Sequence, residues 1–96
     1  MITAIVHISC ANDIIPEVAE TIAGHPAVSE VYSVTGGMDL IAMVRVRHFE
    51  DLADTIAGGI NKVPGVIETS THVAFRTYSR HDLEATFSLG LEESDG

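Results

Sequence analysis

Apolar residues alternate with polar or small ones along Ile2, Ala4, Val6 and Ile8, then recur every fourth position at Ile14, Val18 and Ile22. A period of two marks a strand with one face in a core, and a period near four marks an amphipathic helix. Past Pro26 the chain turns β-branched again, from Val28 to Thr35. The whole progression then repeats. A shift of 38 positions lays the first strand on Leu40, Ala42, Val44 and Val46, and lays Ile14, Val18, Ala19 and Ile22 on Leu52, Ile56, Ala57 and Ile60. It also lays Pro26, Val28 and Glu30 on Pro64, Val66 and Glu68, where a second β-branched run extends to Thr77. Self-similarity at a fixed spacing points to a duplicated structural unit. Each unit reads strand, helix, strand, so the chain predicts βαββαβ.

Local signals agree with the periodicity. Asn12 or Asp13 is suited to cap the first helix, and Pro16 comes early enough to forfeit no needed N–H. Gly24-His25-Pro26 ends that helix. Gly36-Gly37 supplies the turn between the second and third strands. Phe49-Glu50-Asp51 opens the second helix with negative charge near its positive end, and Phe49, Leu52, Ile56 and Ile60 form its expected buried stripe. Gly58-Gly59 weakens the end of this helix, and Pro64-Gly65 closes the connection. Two such units in series make a ferredoxin-like α+β fold. Right-handed crossovers then give an antiparallel sheet of order 4-1-3-2, with both helices on one face.

The other face of the sheet is left bare. It carries Thr3, Ile5, His7 and Ser9 from the first strand and Asp39, Ile41, Met43 and Arg45 from the third. The outer strands add Tyr32, Val34, Ser70 and His72. The folded domain is expected over residues 1–78. Residues 79–96 form a tail in which Leu83 and Phe87, four apart, suggest a short helix before the acidic run Glu92-Glu93-Ser94-Asp95.

Composition changes the picture in three ways. A chain of 96 residues is one domain, and a domain of that size buries only about 60–65% of its unfolded surface. Yet 46% of the residues are hydrophobic, which is more apolar surface than so small a body can bury alone. A homodimer that stacks two bare faces, a dimeric α+β barrel, would absorb the excess, with His7, Ile41, Met43 and His72 in or near the interface. Second, five Lys and Arg stand against 14 Asp and Glu, for a net charge of −9. Such a surface repels phosphate, so direct DNA binding is not expected. Third, the lone Cys10 fits a reducing cytoplasm. The N-terminus lacks a basic region, and no run approaches the ~18 apolar residues of a bilayer span, so neither a signal peptide nor a membrane segment is expected.

The run Val28-Ser29-Glu30-Val31-Tyr32-Ser33-Val34-Thr35-Gly36-Gly37-Met38-Asp39-Leu40 resembles a segment of Lrp/AsnC ligand-binding domains. There a valine-rich strand leads into Thr-Gly, two residues, Asp, and an apolar strand. Val63-Pro64-Gly65-Val66, followed by Ile67-Glu68-Thr69-Ser70-Thr71, is similar to the family's Pro-Gly-Val and its Thr/Ser-rich fourth strand. The resemblance covers residues 1–78. It starts at Met1, with no helix-turn-helix segment ahead of it, so the family's DNA-reading role does not carry over. What the resemblance implies is a dimer, assembled further into a ring of dimers such as an octamer, that binds a small amino acid between dimers. It implies Gly36, Met38 and Asp39 at the ligand backbone. Co-assembly with full-length Lrp/AsnC-family proteins is a further expected partnership.

The residues themselves suit that ligand. An α-amino acid presents a carboxylate and an ammonium a few ångströms apart, and so needs donors beside an acceptor. Gly36 and Gly37 can turn backbone N–H groups outward toward an anion, and Asp39 offers a carboxylate to the ammonium. Thr35, Thr69, Ser70 and Thr71 add hydroxyls, and Tyr32, Val34 and Thr71 are expected to meet the ligand side chain. Without the resemblance, the glycines are a plain hairpin and Asp39 a solvated turn residue.

His7, His25, His48, His72 and His81 lack the spacing of a metal site, and no metal or cofactor is expected. His7 and His72 read as polar neighbours across a dimer interface, and Cys10 as a small core residue. Two other functions share this topology. A cofactor-light monooxygenase of the dimeric α+β barrel kind would need an enclosed polar pocket, for which His7 and His72 are the internal candidates. An ACT-type regulatory domain would pack its sheets side by side. The expectation is a non-enzymatic sensor that modulates transcription or metabolism through partner proteins.

Overall fold

The computed structural model describes residues 1–76 and 78 of the chain. The strands are β1 (Ile2–Cys10), β2 (Val28–Ser33), β3 (Leu40–Val46) and β4 (Val66–Val73), and the helices are α1 (Ile15–Ala23) and α2 (Phe49–Ala57). The sheet runs β2-β3-β1-β4, which is 4-1-3-2 read from the other edge, and every neighbouring pair is antiparallel. The fold class expected from the repeat is therefore the fold observed. The expected tail helix lies outside the described residues.

Alternation builds the core. Ala4, Val6, Ile8 and Cys10 of β1 and Leu40, Ala42, Val44 and Val46 of β3 are buried beneath Val18 and Ile22 of α1, Leu52 of α2, and Ile60. Their neighbours Thr3, Ile5, His7, Ser9, Ile41 and Met43 are only half-buried. That asymmetry is the bare face.

The two units differ where their helices start, and residue chemistry explains why. In the first unit Asn12–Ile14 is a 3-10 turn and α1 begins at Ile15. Pro16 has no N–H to donate back to residue 12, so the helix cannot extend toward β1. Neither Asn12 nor Asp13 caps α1, contrary to expectation; its N-cap is Ile14, without a side-chain hydrogen bond. In the second unit Asp54 stands where Pro16 would fall, and α2 begins earlier, at Phe49. Gly58 and Gly59 then end α2, and a 3-10 turn follows at Ile60–Lys62. A Cβ at either glycine would press on a helix carbonyl, of Asp54 or Thr55, at 2.6 Å. The earlier start corrects a second expectation. Phe49 is 64% exposed; it is the first residue of α2, with only Arg47 and His48 between it and β3. Leu52 and Ile60 are buried and Ile56 is half-buried, while Thr55 is buried with its hydroxyl donating to the Asp51 carbonyl at 2.9 Å.

Gly65 holds the second connection against the first. Its φ is +100°, and a Cβ there would run into the Ile14 side chain and meet Val18 Cγ2 at 3.0 Å. Its carbonyl accepts from Ala11 N at 2.9 Å. Gly65→Ala is therefore expected to lower stability by about 1–3 kcal/mol, since strain and clash add. Gly37→Ala, at a residue without positive φ and with nothing within 4 Å of a Cβ, is expected to be nearly neutral. Urea titration of the two variants separates these outcomes.

Candidate functional site

Residues 34–39 link β2 to β3, and Asp39 fastens this loop to the end of β1. Val34 N donates to the Asp39 carbonyl at 3.0 Å, Asp39 N donates to the Ile8 carbonyl at 2.9 Å, and Cys10 N donates to Asp39 Oδ2 at 2.9 Å. Asp39 thus commits both backbone groups and one carboxylate oxygen to the body of the domain. From the sequence alone Asp39 is a free hairpin-mouth carboxylate, removable without cost to the fold. The bond to Cys10 N corrects that: truncation leaves a part-buried N–H without its acceptor.

Around this anchor the loop is open. Gly36 has φ +114° and needs glycine for that reason, whereas Gly37 has no conformational need for it. A Cβ at either would meet nothing within 4 Å. Thr35, Gly36 and Gly37 are exposed, and Met38 and Asp39 are half-buried. Exposed glycine backbone next to a fixed carboxylate is an arrangement that can receive an anion and a cation side by side.

The remaining expected site residues are dispersed. Tyr32 lies on the bare face opposite Ile41, and Val34 is half-buried at the start of the loop. Thr69 and Thr71 lie on β4, paired with Ile8 and Val6, and so share the helix side of the sheet. Thr69 Oγ1 donates to Asn61 Oδ1 at 2.7 Å. Because β3 and β1 stand between β2 and β4, one chain does not bring Thr69 and Thr71 beside Tyr32 and Val34. Among the described residues, Thr35, Gly36 and Gly37 are exposed, so the loop is open to solvent there. Two surface hollows, of about 300 and 380 Å³, lie along α2 and between the ends of the helices. The residue that sequence reasoning missed is Cys10, whose contribution is a backbone N–H. No side-chain pattern signals it.

The bare face carries the other chemistry. His7 pairs with Ser70 and His72 with Ile5, so the two imidazoles are diagonal neighbours, with ring centroids 5.3 Å apart and planes at 83°. Among the described residues, His7 is half-buried and His72 is exposed, on the sheet face opposite the helices. Across the sheet, Arg45 Nη1 donates to Ser29 Oγ at 3.4 Å. Hydrogen bonding to Glu30 holds the Tyr32 hydroxyl above its usual range, aided by desolvation and the Glu30 charge and opposed by Arg45. Among the described residues, no cluster of three or more His, Cys, Asp or Glu is placed to hold a metal. No helix among them is long and apolar enough to cross a membrane.

Burial, and then the Asp39 charge, push the Cys10 thiol up from its ordinary value of 9.0. The folded state therefore resists forming the thiolate. This contribution to stability is whole below pH 9.0 and declines as pH rises through the thiol range. Cys10 is expected to react with a disulfide reagent only after denaturant is added; rapid labelling of the native domain at neutral pH would contradict this.

The profile of the Lrp/AsnC ligand binding domain matches residues 3–83. A crystal structure of TTHA0845 from Thermus thermophilus is 46% identical, with a TM-score of 0.78 over 83% of this chain and 100% of that one. The HTH-type transcriptional regulator FL11 of Pyrococcus horikoshii is 34% identical over 62 residues, covering 65% of this chain and 40% of the regulator. The chain thus spans less than half the length of the regulators it matches. The transcriptional regulator NMB0573 of Neisseria meningitidis, solved as a complex with L-Met, shares the fold at 15% identity, with a TM-score of 0.74 over 82% of this chain and 53% of that one. The duplicated βαβ units, the sheet order and the profile match together place this chain in the Lrp/AsnC family, as a ligand-binding domain.

Proposed function

We propose that this domain is an oligomeric sensor of a free α-amino acid. The ligand's ammonium pairs with Asp39, and its carboxylate is held by backbone N–H groups around Gly36 and Gly37. The observation that carries this reading is the Thr35–Asp39 loop itself. Cys10 N fixes a half-buried carboxylate there, beside exposed backbone at a glycine, Gly37, that the isolated fold does not require. An open loop in one chain is consistent with a site completed at a subunit junction. In such an assembly Thr69, Thr71, Tyr32 or Val34 reaches a ligand only from another subunit or by way of its side chain. The complex of NMB0573 with L-Met supports an amino acid as the class of ligand for this fold.

The same reading assigns the bare face to a homodimer, with His7, Ile41, Met43 and His72 in or near the interface, and rings of dimers such as an octamer beyond it. With a net charge of −9, the domain acts on transcription through full-length relatives and not by gripping DNA itself. A thermal-shift panel of the twenty amino acids tests the sensor reading, because a ligand that binds only the folded state raises the melting temperature. A rise with one or a few amino acids is the expected result. No rise with any of them at millimolar concentration removes the sensor reading.

A further inference from the structure

We infer that His7 and His72 form half of a transition-metal site, which a second copy of the chain completes with the same two histidines. The inference rests on the dimer reading above, and its starting point is geometric. A metal bound to two imidazoles sits about 2.0–2.1 Å from each nitrogen, which puts tetrahedrally disposed ring centroids about 5 Å apart. The His7 and His72 centroids are 5.3 Å apart. The edge-on arrangement does not yet aim both rings at one point; metal binding would turn the exposed His72 ring to bring its nitrogen to the cation. Both side chains stand on the bare face, on adjacent strands held in register by the β1–β4 ladder, so their spacing is set by the backbone.

Two ligands alone hold a metal poorly, and the described residues of one chain offer no third. A two-fold interface supplies the rest. In an isologous contact, residues near the axis face their own copies. The centre of the bare face lies between β1 and β3, where His7 is paired with Ile41 and Ile5 with Met43. The two-fold of two sheets stacked face to face lies between them and parallel to both; running across the strands along the His7–Ile41 pair, it sets His7 opposite His7 of the second copy, with each His72 on the neighbouring strand β4. Four neutral imidazoles suit zinc and the other late divalent metals, whereas calcium and magnesium prefer oxygen. The bound cation would tie the two sheets together and make assembly sensitive to metal.

The test uses the untagged chain, stripped with chelator and titrated with Zn2+ by calorimetry, with sedimentation run in parallel. Expected are one Zn2+ per two chains and a dimer dissociation constant lowered by at least about tenfold when the metal is present. His7→Gln and His72→Gln should each abolish the uptake while keeping the circular dichroism of wild type. His25→Gln and His48→Gln should leave it unchanged. Co2+ in place of Zn2+ should give the intense visible bands of tetrahedral coordination. A dimer of unchanged affinity that takes up no metal overturns the metal site and leaves the dimer standing. A chain that stays monomeric with and without metal overturns both. One metal per chain, or uptake that survives His72→Gln, also overturns the shared site.

Discussion

Asp39→Asn is expected to leave the domain folded while weakening amino-acid binding by well over tenfold. Asparagine keeps an oxygen that can accept from Cys10 N, so the loop stays fastened to β1. What disappears is the charge proposed to face the ligand ammonium. Losing one member of a partly enclosed ion pair costs about 2–5 kcal/mol, much of it from the partner left unpaired. Asp39→Ala removes both the charge and the acceptor. The part-buried Cys10 N–H is then orphaned, at a cost of about 1–3 kcal/mol of stability, so loss of binding by that variant alone would not separate recognition from folding. Calorimetry on wild type and Asp39→Asn, with denaturant titration of all three proteins, resolves the two roles. Equal affinity in wild type and Asp39→Asn would remove the Asp39 charge from the site.

Ile41→Asp should dissociate the proposed homodimer. Ile41 lies on the bare face between His7 of β1 and Tyr32 of β2, at the middle of the surface assigned to the interface. In a two-fold contact each substitution appears twice, so in the metal-free protein the two new carboxylates are buried near one another at the interface. An unpaired buried charge costs roughly 3–5 kcal/mol, so the dissociation constant should rise by about three orders of magnitude or more. The fold should survive in the monomer, because the face opposite the helices is then in water. Sedimentation at micromolar concentration reads the result. A variant that remains as dimeric as wild type would move the interface off this face, and Ile67 on the edge strand β4, 72% exposed, would be the next surface to test.

The repeat made the architecture readable because it reports two periods in a fixed order. Ile2 to Ile8 and Leu40 to Val46 alternate, so each can bury only one side, and both sets lie under the helices in the folded chain. Handedness then leaves one sheet order for two βαβ units. The bare face was legible for the same reason: the odd positions of β1 and β3 had to point away from the helices. The helix boundaries were less so. Pro16 and Gly58-Gly59 break the symmetry of the repeat in opposite directions, and the expected Asn12 or Asp13 cap and the buried Phe49 both assumed that symmetry.

The candidate site divides along the same line. By itself the sequence determined which residues share the loop from Thr35 to Asp39, because they are contiguous and glycine marks the turn. It also determined that Thr69 and Thr71 belong to a β-branched strand. Only the tertiary structure decided that β1 and β3 separate this strand from β2, with Thr69 hydrogen-bonded to Asn61 on the helix side. Only the tertiary structure, too, decided that Asp39 is tied to Cys10, a contact across 29 positions made by a backbone N–H. Periodicity reports which face of an element a side chain takes, since that depends on local geometry alone. It carries no record of which distant backbone group comes to rest beside it, because strand register is settled by the packing of the whole sheet.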